Sequence, residues 1–242
     1  MDSMASFRRR LAAREQNPSG ERPVVIACLG DSVTHGVFEV DEPPAGGMVL
    51  TYDARQVYHA QLKRLLDLFF PAAAVQVINA GISGDTAAGG AARLERDVLS
   101  FAPDLCIVCF GLNDAHAGLG GLPAFQAALA GILDRLADIP TILLTPCMMN
   151  RAVPGRVSGQ ALQEAARRCM AVQNDGILAA YVEAARTEAR ARRLPVCDEY
   201  ARYAAWSAGG VATDRLLANG INHPVRDIHG LWAHDLFALL LG

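Results

Sequence analysis

The chain has 242 residues, of which 52% are hydrophobic and 19% charged, with a formal net charge of −3. That length and apolar content fit a folded core of α/β size and exclude a disordered chain. The charge supplies no basic field for a phosphate backbone. The arginine clusters Arg8-Arg9-Arg10, Arg167-Arg168 and Arg190-Arg192-Arg193 are too short to alter that, so no nucleic-acid partner is expected.

Met1 to Arg22 holds no apolar run of signal-peptide length. It is expected as an extension, helical or loosely ordered, ahead of one domain over 23–242. Leu231 to Leu241 is too short to span a bilayer and carries His234 and Asp235. A cytoplasmic protein without membrane insertion is the expectation.

In chain order, the first strand is expected over Val24–Leu29, a β-branched run that stops at Gly30-Asp31-Ser32. The Gly/Pro-rich stretch Asp41–Met48 follows as an insertion, then a helical pattern over Ala54–Phe70. Strands at Val75–Asn79, Leu105–Phe110, Thr141–Thr145 and Leu194–Cys197 alternate with helical patterns at Ala87–Leu99, Pro123–Ala137 and Ser158–Arg193. Trp206–His223 is expected as a long loop, and Gly230–Leu241 as the closing helix. Such alternation gives a parallel sheet with helices on both faces. The expected fold class is therefore α/β: a three-layer α/β/α sandwich whose five-stranded sheet has the flavodoxin-like order 2-1-3-4-5.

Cys28, Cys106, Cys109 and Cys147, four of the six cysteines, lie in or beside strand-like runs and are expected as reduced, buried thiols. Cys106 and Cys109 are three apart on a strand and point to opposite faces, so they form no converging pair.

In a parallel sheet, the carboxyl edge is where ligands bind. Ser32 stands at that edge, although Asp31 or Ser32 also has the chemistry of a helix cap. Three more segments reach the same edge: Asn79-Ala80-Gly81-Ile82-Ser83-Gly84-Asp85-Thr86, Gly111-Leu112-Asn113-Asp114 and Asn219-Gly220-Ile221-Asn222-His223-Pro224. A serine, a glycine N–H, an asparagine amide and a histidine are the parts needed for acyl transfer. The serine needs a base, and the oxyanion needs donors already aimed at it.

With these four blocks in order over about Val24 to Phe237, the chain resembles the SGNH hydrolases, the GDSL esterase and lipase superfamily. The resemblance implies Ser32 as nucleophile and His223 as base. It also implies an oxyanion hole made by the N–H groups of Ser32 and Gly81 with the Asn113 side chain. The other serine-hydrolase pattern, Gly-x-Ser-x-Gly, is absent.

One departure stands out. The family usually has an aspartate three residues before the histidine, and here that position is Gly220. An extra residue in the loop would align Asn219 with it, so Asn219 is the expected third member. Asn222 and Asp214 are the nearby alternatives, with Asp227 on the other side and a backbone carbonyl as a further option. Replacing a triad acid by its amide in a chymotrypsin-type enzyme costs about ten-thousand-fold, so the identity of this group matters.

No metal or organic cofactor is implied. His223, His229 and His234 lack the i, i+4 spacing of a helical metal pair, and His229 and His234 are expected at the start and on the exposed side of the last helix. His35 and His116 either line the pocket or sit on surface loops, and His59 is expected to be structural. Gly81 and Gly84 do not make a phosphate loop, since the lysine is missing. Asp31 and Asp114 are expected to brace their loops, and Asp85-Thr86 to cap the next helix.

The resemblance implies a serine esterase acting on small-molecule or glycan esters, with short acyl groups such as acetyl on a carbohydrate preferred. Two alternatives stay open: a long-chain lipase, lysophospholipase or thioesterase, and a catalytically silent carbohydrate-binding protein on the same fold. Oligomeric state is not legible.

Overall fold

The computed structural model describes residues 4–242. Helix α1 (Ala5–Gln16) precedes β1 (Val25–Gly30), the short turn of helix α2 (Ser32–His35) and a hairpin of β2 (Val37–Asp41) and β3 (Val49–Tyr52). Then come α3 (Tyr58–Phe69), β4 (Gln76–Gly81), α4 (Ala87–Asp97), β5 (Leu105–Cys109), α5 (Leu122–Arg135) and β6 (Thr141–Leu144). Helices α6 (Gln160–Asn174) and α7 (Ile177–Arg192), strand β7 (Val196–Cys197), and helices α8 (Glu199–Ala208) and α9 (Arg226–Leu241) complete the chain.

The five-stranded sheet is parallel, in the order β4-β1-β5-β6-β7. With the hairpin set aside, that is the expected 2-1-3-4-5. Central β1 and β5 are buried along almost their whole length, as continuous apolar strands in a sheet covered on both faces should be. Helices α3 and α9 pack together in one layer; α4, α5 and α7 form the other. The register sets Gly30 level with both Gly81 and Cys109, so three chain segments leave the sheet side by side at one edge.

Four elements differ from expectation. The long helix over 158–193 is two helices, broken where Gly176 takes a left-handed φ of +74° and the chain changes direction. The insertion at Asp41–Met48 is the tip of the antiparallel β2–β3 hairpin. The expected loop from Trp206 begins inside α8, whose N-terminus is capped by the Asp198 side chain accepting the Ala201 N–H. Helix α9 starts at Arg226, not Gly230, which turns His229 inward. His229 is completely buried rather than exposed; its Nδ1 accepts the Tyr58 N–H at 3.1 Å, and its ring packs among Phe38, Tyr58 and Trp232.

At the N-terminus, α1 buries Phe7 and Leu11 in the same apolar core, and Arg8 reaches the Leu240 carbonyl of α9 at 3.1 Å. All six cysteines are free and buried. Among the described residues, no helix is long and apolar enough to cross a membrane.

Candidate active site

Strand β1 ends at Gly30, and Asp31 turns the chain into α2. The cap is Asp31: its carboxylate accepts the Val33 N–H at 3.0 Å, which leaves the Ser32 hydroxyl uncommitted to the backbone. Ser32 Oγ instead lies 2.9 Å from His223 Nε2, both side chains being buried. Burial pushes the Asp31 carboxyl up to about 7.

His223 sits in a tight loop whose ends, Leu217 and Pro224, pair with each other. Asn219 shapes this loop. Its Oδ1 accepts the N–H groups of Ile221, Asn222 and His223 at 2.9, 3.0 and 3.0 Å, and its Nδ2 donates to Asn222 Oδ1 at 2.9 Å. Asn219 and Asn222 thus make no bond to the His223 ring. Asp214 lies in a separate cleft with Met148 and Arg151, where its carboxylate accepts the N–H groups of Arg151 and Ala152. The ring's other nitrogen, Nδ1, faces the backbone carbonyl of Phe38 in β2 at 3.3 Å. A carbonyl only accepts, so Nδ1 carries the proton and Nε2 presents its lone pair to the Ser32 hydroxyl. Burial lowers the His223 pKa to about 4, while the Phe38 carbonyl and the Glu39 carboxylate act in the opposite sense.

The glycine expectation needs correction. The Gly81 N–H already donates to Asn79 Oδ1 at 3.0 Å, and Gly81 does not line the cleft. Glycine is required there for space: a Cβ would stand 2.6 Å from Thr34 C, 2.7 Å from His35 Cα and closer still to His35 N. The glycine that lines the cleft beside Ser32, Asn113 and His223 is Gly84, with φ +80° and open space where a Cβ would project. The N–H groups of Ser32 and Gly84 have no hydrogen-bond partner among the described residues. One hydrogen of the Asn113 amide goes to the Asp85 carbonyl (2.8 Å), and the second is uncommitted.

Two buried side chains hold these loops. Asp114 accepts the N–H groups of Gly111 at 3.1 Å and Ala87 at 2.9 Å, joining the Asn113 loop to the start of α4. Arg93 donates to the carbonyls of Gly30 (3.0 Å) and Ala80 (2.6 Å) and pairs with Asp85 at 2.7 Å. Neither Arg93 nor the Phe38 carbonyl was signalled by the sequence, since a helical arginine reads as solvated and every residue has a carbonyl.

The cleft holds about 780 Å³. The hairpin contributes Val40 and Leu50 to its wall, and α6 contributes Leu162 and Val172. Arg168 is the one formally charged side chain lining it among the described residues. His116 also lines it, 3.7 Å from Cys169 Sγ; burial and then Arg168 lower its pKa. His35 Nδ1 meets Ser83 Oγ at 3.1 Å. His59 is buried against the Thr34 carbonyl, and Thr86 caps α4. Among the described residues, no cluster of histidine, cysteine, aspartate and glutamate side chains could hold a metal ion.

A buried serine–histidine pair at the carboxyl edge of a parallel sheet, beside free N–H donors, is the arrangement that serine-hydrolase chemistry requires. Residues 28–230 match the GDSL-like Lipase/Acylhydrolase family, and the chain belongs to it. It is an ester-bond hydrolase by family. A comparison with curated protein sequences finds no match. Among solved structures, it is similar to a lipase/acylhydrolase from Enterococcus faecalis (25% identity, 89% of this chain and 94% of that one, TM-score 0.64). It shares its fold with an acetyl xylan esterase from Geobacillus stearothermophilus (20% identity, 90% and 94%, TM-score 0.64). A two-domain esterase active on acetylated mannans shares it too (21% identity, 96% and 52%, TM-score 0.65).

Proposed function

We propose that this chain is a serine esterase that works through an acyl-enzyme. The observation that carries the reading is the 2.9 Å contact between Ser32 Oγ and His223 Nε2 at the sheet edge. Ser32 Oγ attacks the ester carbonyl carbon as His223 Nε2 takes the hydroxyl proton. The resulting oxyanion is held by the N–H groups of Ser32 and Gly84 and by the free hydrogen of the Asn113 amide. The imidazolium returns its proton to the departing alkoxide, and water activated by the same ring releases the acid. Throughout, Nδ1–H points at the Phe38 carbonyl, which takes the orienting place usually filled by a carboxylate.

The substrate class is an ester of a short acyl group, acetyl on a carbohydrate being preferred. The acetyl xylan and acetylated mannan esterases that share the fold support this choice. A second reading, longer acyl chains, is favoured by the apolar wall of Val40, Leu50, Leu162 and Val172. The Ser–His contact speaks against a silent binding protein.

The test is Ser32→Ala on a short-chain aryl ester, with fluorophosphonate labelling of the unmodified chain. The variant is expected to lose turnover, and Ser32 to be labelled. Undiminished turnover in the variant rejects the reading. Comparing acetyl, butyryl and longer acyl esters decides the chain length.

A further inference from the structure

The Phe38 carbonyl can orient His223 only if β2 is held against the ring. A backbone carbonyl on a two-stranded hairpin is not by itself a fixed point, since isolated hairpins are marginal in water. One side chain ties this one down. Arg226, the first residue of α9, donates to both carboxylate oxygens of Glu39, at 2.5 and 3.1 Å. Its Nε donates to Asp53 Oδ2 at 2.9 Å, just beyond the end of β3. The same guanidinium lies 4.4 Å from the centre of the Phe38 ring. Three independent contacts therefore join α9 to both sides of the hairpin and to the residue whose carbonyl meets His223.

The placement of Arg226 argues for a purpose. A cation in the first turn of a helix opposes the helix dipole. Arginine fits here because its planar fork binds a carboxylate bidentately while its face stacks on an aromatic ring. Arg226 is also only three residues after His223, so one short segment carries both the base and the clamp that fixes the base's partner.

We propose that Arg226, Glu39 and Asp53 form a positioning clamp that replaces the missing triad carboxylate. Arg226 holds the Phe38 carbonyl on His223 Nδ1, and the Glu39 carboxylate next to Phe38 supplies negative charge behind the ring. The clamp rests on the esterase reading above. Its hydrogen bonds to Arg226 keep Glu39 and Asp53 below the usual carboxylate range, so two anions and one cation leave a net single negative charge. The charged and titratable groups around His223 are Glu39 on β2, whose charge acts on it directly, the buried, neutral His229 on α9, and His116 and Arg168 along the same cleft; Arg226 and Asp53 stand behind Glu39 and pair with each other. Glu39, Asp53 and Arg226 are each about one-third exposed, so solvent screens the charge and the effect is modest rather than large.

The experiment uses the full chain and a short-chain aryl ester, with kcat, KM and Tm measured and the acid limb of kcat/KM read in brief assays after a pH jump. Arg226→Met is expected to lower kcat about tenfold to a hundredfold with KM within about twofold, as a misplaced reacting group does. Arg226→Lys should recover part of that loss. Glu39→Gln, nearly isosteric, removes charge that favours the imidazolium, so the acid limb should move to lower pH. A purely structural loosening would admit water and move the limb the other way. The proposal fails if the limb stays or rises in Glu39→Gln, or if a folded Arg226→Met keeps kcat within about twofold. Should Arg226→Met not fold, Glu39→Gln decides alone. Retained turnover in Ser32→Ala would instead overturn the esterase reading itself.

Discussion

Replacing Gly81 by alanine should disable the site without touching any of its reacting groups. The new Cβ would lie 2.6 Å from Thr34 C and 2.7 Å from His35 Cα, where ordinary contact begins near 3.4 Å. The neighbour is backbone, so the chain of α2 must retreat by about 1 Å. Helix α2 has only four residues, and Ser32 is the first. The retreat would stretch the 2.9 Å Ser32–His223 contact beyond the reach of a hydrogen bond. Overpacking of this kind costs about 1–3 kcal/mol, and at about 2–4 °C per kcal/mol for a chain of this size the Tm should fall by roughly 2–12 °C. Misplacing a nucleophile by that distance costs about a hundredfold in kcat. Gly84→Ala is the contrast: its Cβ meets nothing within 4 Å, its N–H is retained, and the cost is about 1–2 kcal/mol for a left-handed φ. Thermal unfolding and kcat on an aryl acetate measure both variants. A Gly81→Ala chain with unchanged Tm and kcat within about threefold would refute the steric argument.

Burial of neutral imidazoles gives a pH signature. A base must be unprotonated, and His223 is held down to about 4, so kcat/KM should stay level from neutral pH to about 5.5 and fall with a midpoint near 4; a midpoint at 6–7 would refute this. Stability should be fully present above pH 6.5 and lost below it, because the unfolded chain protonates His59, His223 and His229 before the folded chain does, their folded values being about 4, 4 and 3. Asn219→Ala leaves three N–H groups without their acceptor and should cost about 1–3 kcal/mol with a lower kcat, whereas Asn219→Asp keeps the acceptor and most of both; equal Tm for Asn219→Ala and the unmodified chain would count against its bracing role. Arg168, the one formally charged side chain along the cleft among the described residues, should favour esters whose acyl chain ends in a carboxylate: Arg168→Gln is expected to lower the acidic-to-neutral ratio of kcat/KM about two- to fivefold, an exposed ion pair's worth, fading with salt. An unchanged ratio would place Arg168 outside substrate contact.

The sheet was legible because its central strands are buried on both faces, which forces the continuous apolar runs of Val25–Leu29 and Leu105–Cys109. The serine and histidine were legible because acyl transfer needs those two side chains, and the structure brings Ser32 Oγ and His223 Nε2 within 2.9 Å. Less visible was anything settled by which backbone group is already occupied. Gly81 and Gly84 stand three apart in one motif; they differ in that the Asn79 side chain takes the Gly81 N–H and that Gly84 alone lines the cleft, neither of which the motif shows. His229 was misplaced for a related reason. Once α9 begins at Arg226, His229, Trp232, Leu236 and Leu240 fall on one inward stripe, and the pattern reads correctly.

In the proposed mechanism, the partner of His223 shows why a missing carboxylate need not mean a missing function. A carboxylate would both orient the ring and stabilise its cation. The Phe38 carbonyl does the first through geometry alone, at 3.3 Å, and contributes to the second only as a dipole. Burial, only partly offset by that carbonyl, leaves the ring a weak base near 4, neutral at neutral pH but less ready to take a proton. Proton transfer loses only part of that lost basicity in rate, because the transition state carries only part of the charge. What the site cannot surrender is alignment, and alignment is what Arg226 on α9 and the β2–β3 hairpin share between them.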